Sequence, residues 1–176
     1  VDGGFIVTGM DSDINSDNLQ ILLFKTDSQG NQQWRKTYSE GNGYSVQQTI
    51  DGGFIVTGRD GDINSDDQQI LLFKTDSSGN EQWRKTYDKG DGFGVQQTVD
   101  GGFIFSGFVG YWDDQQILLL KTDSQGNGQW RKTYDEGYGS IVRQTVDGGF
   151  IVTGSNEEVL LFKTNELGYT DDLVDE

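Results

Sequence analysis

The chain has 176 residues, with 29 acidic side chains against 13 basic ones and a formal charge of −16. Such a balance repels nucleic acid and anionic membrane surfaces, and no apolar run approaches the roughly 20 residues of a membrane-spanning helix. With neither cysteine nor histidine, the chain has no disulfides and no Ser-His or Cys-His nucleophile pair.

Hydrophobic residues make up 32% of the chain, and 26 glycines accompany them; together they reach the ordinary globular range, which argues against disorder. Alanine and proline are absent, while Thr, Val, Ile, Phe and Tyr abound. This composition favours strand over helix.

The phrase Asp-Gly-Gly-Phe-Ile begins at Asp2, Asp51, Asp100 and Asp147, at intervals of 49, 49 and 47 residues. A period of this size marks a propeller or solenoid, whose units hide their apolar surfaces by stacking. Residues 1–176 are therefore expected to form a single repeat array.

In chain order, a complete unit is predicted to hold four strands, at 44–49, 54–58, 70–75 and 82–87 in the second copy. Asp51-Gly52 suits a two-residue hairpin with positive φ at both positions. Residues 76–80 suit a longer hairpin with Gly79 in the left-handed region. The Ile-Leu-Leu-Phe-Lys-Thr strand is apolar at successive positions and is expected to be buried on both faces. In Gln-Trp-Arg-Lys-Thr-Tyr, the Trp, Lys and Tyr share one face, and the Arg-Lys pair guards an outer edge. The Val-Gln-Gln-Thr strand is expected innermost, with its glutamines toward a wet channel. Ten of the thirteen basic residues recur at fixed repeat positions, so they belong to the scaffold.

Four antiparallel strands per unit point to an all-β propeller of four-stranded blades. The Gly-ended second strand (FIVTG), the third strand closing in Lys-Thr-Asp and the following SxGNxxW step resemble kelch-like β-propeller repeats of secreted or surface prokaryotic proteins. That resemblance implies a propeller and an extracellular or cell-surface location, and no one activity. Both ends fall within a repeat. The expectation is an arc of about three and a half units in a larger ring, or half of a ring completed by a second chain; a lone four-bladed ring is the alternative.

Alternating strand direction places the conserved hairpins on one side of the array. The loops that differ between copies fall on the other: 10–19, 59–69, 108–116 and 155–158, with the Gly-rich links 39–43, 88–92 and 135–139. Variable loops on a rigid scaffold are where binding sits.

Two of these loops space oxygen-bearing side chains at alternate residues: Asp11, Asp13, Asn15 and Asp17, then Asp60, Asp62, Asn64 and Asp66. Calcium takes six to eight hard oxygen ligands, and the D-x-D-x-N opening is similar to the start of an EF-hand loop. Ser16 and Ser65 replace the turn glycine, and Leu22 and Leu71 stand where the bidentate glutamate belongs. A solvated acidic turn is the competing account. Tyr111 and Trp112, which have no counterparts in the other copies, are candidates for stacking on a sugar or anchoring a protein. Folding down over the array is their alternative fate. Arg143 replaces Gln47 and Gln96 on the inner strand and could present one positive charge there as an anion site; drift among channel-lining polar residues is the favoured alternative.

The expected function is a non-enzymatic binding or scaffold module. A protein or glycan would bind the variable-loop face, calcium would stiffen two loops, and a homo-oligomer would complete the ring. A lectin propeller and a purely structural segment of a surface protein or filament are the alternatives.

Overall fold

The computed structural model describes residues 3–12, 19–62, 65, 68–110 and 114–170. Among these there is no helix, hence none long and apolar enough to cross a membrane. Twelve antiparallel strands follow one another: β1 (Ile6–Ser12), β2 (Leu19–Thr26), β3 (Gln32–Gln48), β4 (Phe54–Asp60), β5 (Gln69–Thr75), β6 (Glu81–Gln97), β7 (Phe103–Val109), β8 (Gln116–Thr122), β9 (Gly128–Glu136), β10 (Tyr138–Gln144), β11 (Phe150–Ser155) and β12 (Val159–Thr164). Hydrogen bonding links β1 to β9 in sequence order and β10 to β12 in a separate sheet, and neither sheet closes on itself. The fold is all-β and antiparallel.

The long strands β3 and β6 each serve two neighbours in turn. Residues 32–40 of β3 pair with β2, and residues 41–48 pair with β4. Residues 81–89 of β6 pair with β5, and residues 90–97 with β7. The pairing therefore divides into four consecutive groups. The first holds β1, β2 and residues 32–40; the second holds 41–48, β4, β5 and 81–89. The third holds 90–97, β7, β8 and β9, and the fourth β10, β11 and β12.

The Gly-rich links at 39–43 and 88–92 are thus strand and not loop, contrary to the sequence expectation. Gly90, at φ 146°, lies where a Cβ would come within 2.0 Å of the Phe108 carbonyl oxygen. Glycine lets the strand turn out of one group and into the next without breaking. Only the third link opens, between Glu136 and Tyr138.

The hairpin at Asp51 also differs from expectation. Thr49 and Gly53 close a three-residue loop, and Gly52 alone takes positive φ, at 82°. The Asp51 carboxylate explains the choice, because its Oδ1 accepts from Thr49 Oγ1 at 2.5 Å and from the Gly53 N–H at 3.1 Å. At the other hairpin Gly79 is left-handed as expected, and Asp76 accepts from the N–H groups of Ser78 and Asn80.

The core lies between groups. Ile21 and Leu23 of the first group meet Phe54, Val56, Leu71 and Phe73 of the second. Ile55, Ile70 and Leu72 meet Phe103, Phe105, Leu118 and Leu120 of the third. Ile104 and Leu119 meet Val142, Phe150 and Val152 of the fourth. Residues 70–75 are buried throughout, as a strand with neighbours on both faces requires.

Three kinds of polar contact fasten the stack. The first comes from β3, β6 and β9, where Tyr38, Tyr87 and Tyr134 donate to the carbonyl oxygens of Gly79, Gly126 and Gly168 in the next group, at 2.7, 2.7 and 2.6 Å. Trp83 covers the same hairpin, and a Cβ on Gly126 would meet its ring at 2.8 Å. Lys36 continues the contact with a 2.6 Å bond to Asn80 Oδ1. The shared face of Trp, Lys and Tyr is therefore a clamp on the following unit.

The second kind joins β3, β6 and β10. Gln47 Oε1 accepts from the Gln97 N–H at 2.6 Å, and Gln97 Oε1 accepts from the Ile50 N–H at 2.8 Å. Gln96 and Gln144 repeat the exchange one group on. These amides stitch neighbouring groups together.

The third kind is the recurring lysine under the Asp-Gly-Gly hairpin. Buried Lys121 donates to Asp100 Oδ2 at 2.8 Å, Thr122 O at 3.0 Å and Gln129 Oε1 at 3.0 Å, using all three of its donors.

Candidate functional site

Because consecutive strands are antiparallel, the 49–53 and 76–80 hairpins lie along one edge of the array. The segments that vary between copies lie along the other, beside the glycine junctions at 41, 90 and 137. At each junction the start of an inner strand faces the end of its partner: Asn42 opposite Arg59, Asp91 opposite Phe108, and Tyr138 opposite Ser155. The same crevice therefore recurs along the array, with different side chains lining it.

In the second group the crevice is lined by Leu19, Gly41, Asn42, Arg59 and Gly61 and encloses about 10 Å³. Arg59 reaches across to the third group, where Nε donates to Asp91 Oδ1 at 2.5 Å and Nη2 to Asp91 Oδ2. Asp91 is buried. The paired carboxylate, acting through those hydrogen bonds, raises the Arg59 pKa further above its ordinary value. This bidentate pair is rigid, and it fills the corner.

In the fourth group the equivalent crevice is lined by Gln115, Glu136, Gly137, Tyr138, Ser155, Asn156 and Glu157, and it measures about 450 Å³. Ser155 occupies the strand position of Arg59 and lines the cleft. Tyr138 stands where the copies have Asn42 and Asp91, and its ring is exposed. Phe93 supports that ring edge-on, with centroids 5.9 Å apart and planes at 72°. Behind Phe93, Tyr44 and Phe108 lie at 5.2 and 5.8 Å, so Tyr138 ends an aromatic row with one face open.

The floor of the cleft is fixed by the Gly137 N–H, which donates to Gln115 O at 2.9 Å. Its wall is the tight turn 156–158, closed by a bond from the Asn156 N–H to Glu158 O at 3.2 Å. Glu157 in this turn is the one non-glycine residue with positive φ (81°) among the described residues. That conformation is costly for a residue with a Cβ, and Glu157 lines the cleft.

The residues singled out by sequence have varied placements. Asp13, Asn15, Asp17, Asn64, Asp66, Tyr111 and Trp112 lie outside the described residues. Asp11 forms an ion pair with Arg35 at 2.5 Å. Asp60 accepts from Arg84 Nη1 at 2.7 Å and from Ser39 Oγ at 3.2 Å. Asp62 is exposed, with its backbone oxygen accepting from Gln68 Nε2 at 2.9 Å. Among the described residues no three acidic groups converge as metal ligands.

Arg143 is exposed and donates to the carbonyl of adjacent Val142 at 2.8 Å. It lies about 17 Å along β10 from Tyr138 at the usual strand rise, so the two do not share a site. The cleft residues were missed in the sequence. The available signal was Tyr138 standing where the other copies have Asn42 and Asp91.

No family model matches this chain, and no curated protein matches it. Among solved structures, a protein of unknown function from Bacteroides caccae is similar, with a TM-score of 0.63 and 12% sequence identity over 96% of this chain and 56% of that one. At that identity the likeness concerns fold alone. This chain spans little more than half the length of that protein.

Proposed function

We propose that the chain is an arc of a β-propeller-type array, surface-exposed or secreted, that acts as a non-catalytic binding module. Its ligand is a glycan held in the cleft beside Tyr138. Sequential groups of three or four strands, face-to-face cores and glutamine stitches between neighbouring groups support the propeller arrangement. The observation that carries the binding role is the opening of one copy of a repeated crevice, from about 10 Å³ to about 450 Å³.

A cleft of that size suits a small ligand. The free face of Tyr138 offers apolar contact to the C–H face of a sugar ring. The amides of Gln115 and Asn156, the Ser155 hydroxyl and the carboxylates of Glu136 and Glu157 line the same cleft and suit ring hydroxyls.

The test is a glycan array followed by titration calorimetry on the wild type, Tyr138→Ala and Ser155→Arg. Both positions line the cleft, and the arginine adds bulk at its rim. A wild-type glycan ligand lost in both variants supports the proposal. Absence of any glycan ligand, or undiminished binding in both variants, overturns it. Release of reducing sugar by the wild type, abolished by Glu157→Gln, would assign a hydrolase in place of a binding module.

Calcium in the loops opened by Asp11 and Asp60 is a separate proposal. The arginine bonds to these two carboxylates leave lone pairs free, and an ion there would share each carboxylate with Arg35 or Arg84.

A further inference from the structure

We infer that the cleft between the third and fourth groups selects a sugar that carries a free amino group, bound as its ammonium. This rests on the glycan reading proposed above and names the class of sugar. The cleft and its open aromatic ring make the site, and the charges around them decide what enters.

Gln115 and Glu136 of the third group line the cleft together with Tyr138, Ser155 and Glu157 of the fourth. Two carboxylates thus stand in the lining, which contains no lysine or arginine among the described residues. Neither carboxylate enters an ion pair with another described residue. Arg143, the cation on the same strand as Tyr138, lies about 17 Å along it. The neighbouring junction differs in charge, because Lys89 holds the repeat position of Glu136 there. Glu157 brings its carboxylate to the cleft from a φ of 81°, where glycine or asparagine is the easier residue.

An ammonium group supplies what this lining lacks. Its three N–H donors suit carboxylate acceptors, and its charge is drawn to the negative face of an aromatic ring. The Tyr138 ring is exposed and held edge-on by Phe93. Elsewhere the chain makes both contacts with its own cations. Arg59 lies 5.9 Å from the centroid of the Tyr44 ring while it pairs with Asp91, and Lys132 Nζ stands 3.6 Å from the centroid of Tyr169. An amino sugar joins such a cation to C–H edges and hydroxyls, which the ring and the amide of Gln115 accommodate. A sugar bearing a carboxylate would meet like charge in the same place.

The test is an array printed with each sugar in matched forms: amine free, amine acetylated, hydroxyl in its place, and carboxylate. Titration calorimetry follows on the forms that bind. In the wild type the free-amine form should bind about 5- to 100-fold more tightly than its acetylated and hydroxyl forms, the effect of one ring contact and two exposed ion pairs. The carboxylate form should not bind, and the advantage of the amine should shrink as salt is raised. Glu136→Gln and Glu157→Gln should each reduce that advantage. Glu166→Gln removes the same charge from the exposed 165–169 hairpin on the opposite edge, and it should leave the advantage intact. Circular dichroism checks that each variant is folded.

Equal or tighter binding of the acetylated or hydroxyl form overturns the inference and leaves the glycan module standing. So does an advantage that the two cleft variants change no more than Glu166→Gln does, since that is the pull of the −16 chain as a whole. An array with no bound sugar defeats the glycan reading, and the amino-sugar preference falls with it.

Discussion

Replacing Tyr87 by Phe removes one oxygen and nothing else from the clamp between the second and third groups. The hydroxyl donates to Gly126 O at 2.7 Å, and Gly126 is buried beneath Trp83. Loss of an ordinary hydrogen bond costs about 0.5–1.5 kcal/mol, and leaving a buried acceptor without its donor costs about 1–3 kcal/mol. The Gly126 carbonyl keeps its second lone pair, so the expected loss is about 1–2 kcal/mol. For a chain of this length that lowers the melting temperature by about 2–8 °C. Tyr38 and Tyr134 make the same bond in other groups, far enough apart for their effects to add. The triple Phe variant should therefore lose about 3–6 kcal/mol, a large share of the 5–15 kcal/mol typical of a folded domain. Urea unfolding of the four proteins is the assay, with exposed Tyr169→Phe as a control expected to change stability by less than about 0.5 kcal/mol. Alkaline titration gives a second reading. Burial, reinforced by Glu81 and Asp76, pushes Tyr38 from 10.0 up to about 12. Its contribution is intact below pH 10 and is lost as the pH rises through about 12. A triple variant as stable as the wild type would refute the clamp.

Leu72→Ala should cost about 2–5 kcal/mol, because the side chain is fully buried between the second and third groups; urea midpoints measure it. Acid should destabilise the chain through the Asp-Gly-Gly hairpins. Burial would raise Asp51 and Asp100, but hydrogen bonds from Lys74 and Lys121, with those from the turn, outweigh it and hold both near about 2. The Lys163 hydrogen bond leads the same effect at Asp147. These lowered values contribute stability that is complete above the unfolded value of 3.8 and is lost as the pH falls through about 2. Unfolding midpoints from pH 5 to pH 2 should therefore decline, less steeply in Lys121→Met. Calcium at the acidic loops should raise the melting temperature, an effect lost in Asp13→Ala combined with Asp62→Ala; identical melts in calcium and in chelator would remove the site.

Much of the fold was legible because each copy repeats the same physical instructions. Ile70 through Thr75 alternate between two faces that are both apolar, so burial on both sides follows. Trp34, Lys36 and Tyr38 lie two residues apart, so they share a face. Gly79 follows turn-forming residues, so its left-handed place follows too. The Gly-rich links misled because glycine marks both flexible loops and tight backbone approaches, and only the Phe108 carbonyl beside Gly90 shows which applies. Asp51 misled in a similar way, since its side chain closes the turn that its backbone was expected to make.

The site was harder to read. Ser155 lines the cleft only because strand pairing sets it opposite Tyr138. Tyr138 aligns with Asn42 and Asp91, and its value as an open ring depends on Phe93 from the preceding inner strand supporting it. Neither relation exists along the chain. The acidic loops drew attention through their spacing alone, yet Asp11 and Asp60 are held by Arg35 of β3 and Arg84 of β6.

The central claim is that successive repeats stack face to face with their inner strands side by side. Nuclear Overhauser measurements on selectively labelled aromatic rings address it directly. Cross-peaks from Phe93 to both Tyr44 and Tyr138, whose centroids lie 5.2 and 5.9 Å away in the flanking groups, are the predicted result. A Phe93 ring that sees protons of its own repeat and no others would contradict it.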